Sequence, residues 1–141
     1  MTSSNRKLLL VVAAIVLGVA AVVRAWFSSH GVSVGLWGIE VCDRGCHGVR
    51  WDNTGADLDM YLMGYLGVAA ALGTSAVTCL AALGDRPELM KLVRTMAMVT
   101  VVVLAGFVIR ILVEGGLGVS WAAIVGPLAA VGIRVLATDK P

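Results

Sequence analysis

Charge is scarce in this sequence: 14% of its 141 residues are Asp, Glu, Lys or Arg, against about 25% in a soluble domain. Hydrophobic residues make up 59%, so the chain suits a lipid solvent and is long enough for one domain. Aromatics are also few, at 6%. No cluster of Lys and Arg interleaves with them, and a net charge of +2 gives no electrostatic footprint for nucleic acid. No Asp, Glu or His stands in the middle of a long apolar run, so a proton relay or ion pathway has no residues to carry it. Nucleophile, base and orienting group are nowhere gathered, and Gly35-Leu36-Trp37-Gly38 lacks the Lys and Ser/Thr of a phosphate loop. The expectation is a protein without catalytic residues, cofactor or metal.

What is present are four apolar runs: 8–25, 60–83, 92–113 and 119–137. Each can cross a hydrocarbon core of about 30 Å as a helix. Helices are required because an open sheet would leave backbone groups unpaired in lipid. The fold class expected is therefore an all-α membrane protein, a single four-helix transmembrane bundle, with a small sheet or hairpin in the first outer loop, 26–59. The first run also has signal-peptide features, with Val23-Arg24-Ala25 as a cleavage site, but its length favours an uncleaved anchor.

Charge sets the orientation. Arg6, Lys7, Arg86, Lys91, Arg94, Arg134 and Lys140 fall on one side. Arg24, Arg44, Arg50 and Arg110 fall on the other, among Glu40, Asp43, Asp52, Asp57, Asp59 and Glu114. Basic residues of short loops stay cytoplasmic, so both termini are expected inside a plasma or inner membrane. Trp26, Phe27, Trp37, Trp51, Tyr61, Tyr65, Phe107 and Trp121 gather on or near the outer side, as an interfacial belt does. Arg24, Arg94, Arg110 and Arg134 lie within snorkelling reach of an interface. Arg110 and Glu114 can pair at i,i+4.

Small residues at four-residue spacing offer helix seams: Gly67, Ala71 and Ser75 in the second run, with Gly64 and Gly73 nearby, and Ala122, Gly126 and Ala130 in the fourth. Packing within the bundle is expected from them ahead of a homo-oligomer. Gly126-Pro127 should kink the fourth helix. Cys79, inside an apolar run, reads as packing.

The outer loop carries the remaining information. One strand-like patch runs from Val32 through Trp37 and continues over Gly38 to Cys42; a second covers Cys46 to Trp51. Asp43-Arg44-Gly45 between them is a three-residue hairpin signal. It sets Cys42 opposite Cys46, within disulfide reach in an oxidising compartment. Two other readings of the segment stand beside the disulfide. Cys42-Asp43-Arg44-Gly45-Cys46-His47 is a stretched c-type haem attachment motif, with Met60, Met63 or His30 as a second axial ligand. Cys42, Cys46, His47 and His30 are also a set of zinc-ligand types. Asp52, Asp57 and Asp59 are a weak calcium candidate, or a solvated approach favoured by the helix N-terminus that follows.

Trp26, Gly35-Leu36-Trp37, Cys42 and Cys46, in that order and in that loop, resemble the signature of claudins and their relatives. Those are four-helix membrane proteins with cytoplasmic termini and a first extracellular loop folded as a small disulfide-tied sheet. The resemblance implies the same architecture here and a role in protein–protein contact or membrane-complex organisation. The two cysteines stand closer together than in that family, and the second outer loop, Glu114 to Gly118, is shorter. Expected partners are the bilayer and a membrane or extracytoplasmic protein, or further copies of the chain. A small electron-transfer subunit with haem on Cys42, Cys46 and His47 is the alternative.

Overall fold

The computed structural model describes residues 2–23, 25–51, 58–115 and 117–138, with Leu58 and Asp59 described by their backbone only. Among the described residues, four helices are long and apolar enough to cross a membrane. They are α1 (Ser3–Val22), α2 (Leu58–Leu83), α3 (Met90–Glu114) and α4 (Trp121–Thr138). Consecutive helices pack side by side and α1 closes on α4, forming an antiparallel bundle. The chain is a multi-pass integral membrane protein. Five strands make one antiparallel sheet: β1 (Phe27–Ser29), β2 (Val32–Gly35), β3 (Gly38–Cys42), β4 (Cys46–Arg50) and β5 (Gly118–Val119), in the order β4-β3-β2-β1-β5.

Alanines share the interior with Leu10, Leu17, Leu104, Phe107 and Ile133, while many large apolar side chains face outward. Ala14, Ala20, Ala21, Ala71, Ala97, Ala122 and Ala130 are buried, whereas Leu8, Ile15, Leu80, Val102, Ile109 and Leu128 are exposed. Lipid gives helices no hydrophobic reason to associate, so small residues let backbones approach while branched side chains meet acyl chains. Hydroxyls add polar seams. The Ser75 hydroxyl donates to the Ala14 carbonyl at 2.8 Å, joining α2 to α1. Thr74 and Thr100 share a buried hydrogen bond of 2.8 Å between α2 and α3.

Helix ends have local causes. The first helix starts at Ser3 rather than Leu8 because the Thr2 hydroxyl caps it, accepting from the Asn5 amide at 3.3 Å. It stops at Val22, short of Ala25, where the chain turns into the sheet. At the end of α2, Asp85 takes φ 53 and the Arg86 amide donates back to the Ala81 carbonyl at 3.1 Å. This is the Schellman arrangement, with Asp in place of the usual Gly. Pro87 opens the short 3-10 turn Pro87–Leu89 that leads into α3. Pro127 lies inside α4 without ending it.

One expectation about the loop needs correcting. The patch from Val32 to Cys42 is not one strand: it folds back at Leu36-Trp37, so that Gly35 pairs with Gly38 and Val32 with Val41. Gly38 makes this possible at φ 152, where a Cβ would collide with the Val49 carbonyl and the Arg50 Cα. The sheet also reaches beyond the first loop, since β5 from the second loop pairs with β1.

Candidate functional site

The sheet sits on one end of the bundle, anchored by tryptophans. Trp26 is fully buried and its indole N–H donates to the Ala20 carbonyl at 2.8 Å. The Trp37 indole donates to the Ala21 carbonyl at 3.1 Å. Both acceptors lie in the last turn of α1, where helix geometry leaves carbonyls without intrahelical donors. The indoles thus cap the helix and fix the sheet in one contact. Trp51 donates to the Leu36 carbonyl at 2.9 Å, tying the far end of β4 to the β2–β3 turn.

The helix glycines receive these rings. A Cβ on Gly64 would stand 2.6 Å from both the Leu36 carbonyl and the Trp51 indole nitrogen. At Gly126 it would stand 2.9 Å from the Trp26 ring, and at Gly67 3.2 Å from the Leu36 side chain. Sequence reasoning assigned these glycines to helix–helix seams. Gly64 seats the sheet alone, Gly67 and Gly126 do so while also facing Leu104 of α3 and Ala20 of α1, and Gly73 and Ser75 face neighbouring helices. Phe107 of α3 completes the seat, edge-on to Trp26 at 6.0 Å and to Trp51 at 6.4 Å. Such edge contacts suit the aromatic quadrupole. From the other loop, the Ser120 amide donates to the Trp26 carbonyl at 2.9 Å, and its hydroxyl to the Ala25 carbonyl.

Beyond the seat, β3 and β4 project away from the bundle. Cys42 and Cys46 pair directly in the register and are joined as a disulfide. All of β4 is exposed, and it is an end strand of the sheet among the described residues. Alternation along the hairpin puts Ile39, Val41, His47 and Val49 on one face and Glu40, Cys42, Cys46 and Gly48 on the other. Val41, Val49 and Trp37 are the exposed apolar residues here, at 42%, 37% and 41%. A groove of about 320 Å³ runs between Trp37, Ile39, Glu40, Val49 and Arg50.

The ligand sets read from the sequence are not assembled. Glu40, Cys42 and Cys46 bring ligand-type atoms within 4.8 Å of one another. The two sulfurs are bonded to each other, however, and a disulfide offers neither the thiolates that zinc binds nor thioether partners for haem. His47 projects from the face opposite Cys46, and His30 is used by the β1–β2 turn, where His30 and Gly31 take φ 47 and 81. Positive φ at both central residues is the I′ hairpin turn. Met60 is buried in the core and the Met63 methyl lies by Gly106 of α3, so neither faces the cysteines. Asp52 and Asp57 lie outside the described residues, as do Arg24 and the Asp59 side chain. At the base of the sheet Arg110 and Glu114 are paired at 2.6 Å. Cys79 is free and partly buried against the core.

No protein-family model, curated protein or solved structure matches the chain. Fold and site define a four-helix membrane bundle carrying a disulfide-tied, tryptophan-seated sheet at one end.

Proposed function

We propose that the protein is a claudin-like, non-enzymatic membrane component that binds another protein through this sheet, with the sheet outside the cell and both termini inside. The carrying observation is the division of the sheet into two parts. One half is locked to the bundle by indole hydrogen bonds from Trp26 and Trp37 to α1, and Trp51 ties β4 to the β2–β3 turn. The other holds exposed Val41 and Val49 on the hairpin whose outer member, β4, is an end strand among the described residues. Exposed apolar groups at the end strands of a sheet mark interaction surfaces. A rigid seat lowers the ordering cost of binding. Orientation rests on charge: Arg6, Lys7, Arg86, Lys91, Arg94 and Arg134 collect at the end away from the sheet, as cytoplasmic ends do. The claudin reading is supported by Trp26, Gly35-Leu36-Trp37 and the cysteine pair lying in one sheet over four helices.

A photo-crosslinking residue at Val49, in cells, tests this. The expected result is a discrete adduct with another membrane or extracytoplasmic protein, lost when Trp51 is replaced by Ala. Adducts to a second copy would make the sheet a self-association surface. Adducts to lipid only would defeat the proposal. A Soret band surviving denaturation of the purified protein would replace it with electron transfer.

A further inference from the structure

The end of the bundle away from the sheet holds three partly buried arginines that the fold leaves without a carboxylate among the described residues: Arg6, Arg94 and Arg134. Arg6 lies at the boundary of α1 with α4, and Arg94 and Arg134 at the boundary of α3 with α4. Arg6 of α1 donates through Nε to the Leu136 carbonyl at 2.8 Å. Arg134 of α4 reaches across to the Arg94 carbonyl of α3, at a long 3.4 Å. The Nε of Arg94 is sealed from solvent and has no hydrogen-bond partner. Among the described residues, nearby opposite charge pairs elsewhere or faces water, since Asp85 pairs with Lys7 at 2.7 Å and Glu88 is exposed in the turn before α3.

A guanidinium cannot discharge by losing its proton, so its partial removal from water must be offset by an anion. With Nε of Arg94 closed off, the Nη edge is what remains to bind one. Two Nη donors match the spacing of two phosphate oxygens. At the boundary of a transmembrane bundle, the phosphate at hand is a lipid headgroup, and unpaired cations favour a lipid of net negative charge. We propose that Arg94 and Arg134 form a site for the phosphate of an anionic phospholipid.

The test uses the full chain in mixed micelles of phosphatidylglycerol and phosphatidylcholine, with bound lipid read by native mass spectrometry. The unaltered protein should retain phosphatidylglycerol over phosphatidylcholine. Replacing Arg94→Gln with Arg134→Gln should lower that retention about tenfold or more, as expected when charge-assisted hydrogen bonds are lost. Arg86→Gln with Lys91→Gln removes two exposed cations from the same end and should change retention less than about twofold, exposed charges being weakly coupled. Should the double variant not fold, Arg134→Gln alone serves, because it gives up only the long contact to Arg94. Equal retention of both lipids by the unaltered protein would overturn the site. So would equal losses from the two pairs of substitutions, which would mean diffuse surface charge. Displacement of the lipid by inorganic phosphate at equal concentration would overturn the assignment to a lipid.

Discussion

Replacing Gly64 by Ala probes the seat of the sheet at its tightest point. The added Cβ would lie 2.6 Å from the Leu36 carbonyl and from the Trp51 indole nitrogen, and 2.7 Å from Trp51 Cδ1. Neither neighbour can yield cheaply. The carbonyl belongs to a two-residue turn closed by the Gly35–Gly38 pair. The indole is 3% exposed, bonded to that carbonyl and edge-on to Phe107. Overpacking of this kind costs about 1–3 kcal/mol, and separating the indole from the carbonyl adds about 1 kcal/mol. Docking of the sheet should weaken by about 2–4 kcal/mol in sum. If opening is fast relative to cleavage, 2 kcal/mol is about a thirtyfold rise in proteolysis of the β3–β4 hairpin. Limited proteolysis in membranes measures it, with Gly132→Ala as the comparison, since nothing lies within 4 Å of a Cβ there. That substitution should be neutral or stabilise by up to about 1 kcal/mol through helix propensity. Gly64→Ala protein as resistant as the unaltered chain would refute the seating described.

Trp26→Phe removes a buried indole hydrogen bond to the end of α1 and should cost about 1–3 kcal/mol in thermal unfolding. Trp37→Phe, at a half-exposed ring, should cost less. Replacing Cys42 and Cys46 by Ser should leave all four helices inserted while the β3–β4 hairpin becomes protease-sensitive. The loop closed is short (sequence separation 4), so the stability lost should stay under the roughly 3 kcal/mol of a fifteen-residue loop. A double-mutant cycle with Thr74→Val and Thr100→Val should return a coupling near the roughly 0.6 kcal/mol average for hydrogen bonds between membrane helices. A value near zero would mean the two hydroxyls find other partners.

The four spans were legible because lipid demands long uninterrupted apolar runs, and the β3–β4 hairpin because Asp43-Arg44-Gly45 is a turn signal between paired cysteines. The β2–β3 hairpin was not legible. Leu36 and Trp37 are apolar residues with no turn preference of their own, and only the conformation of Gly38 lets the chain reverse there. The two-residue strand β5 is too short to show a period and exists because β1 supplies its partner. Gly64 and Gly126 were visible as places of close approach. A glycine on a helix face does not say whether another helix or an indole fills the space; here Trp51 lies against Gly64, and Trp26 lies against Gly126 together with Ala20 of α1. The Thr74–Thr100 contact and the role of Phe107 depend on α2 and α3 being neighbours, which no single run reveals.

Sidedness is the hinge of the proposed function, because a sheet facing the cytoplasm could neither keep its disulfide nor meet an extracytoplasmic partner. In a background with Cys79→Ala, Val119→Cys places a thiol at an exposed position of the sheet, and Glu88→Cys places one in the turn at the opposite end. Intact cells are treated with a membrane-impermeant maleimide, before and after permeabilisation. The thiol at position 119 should label in intact cells, and the thiol at position 88 only after permeabilisation. The reverse pattern would put the sheet inside and contradict the account.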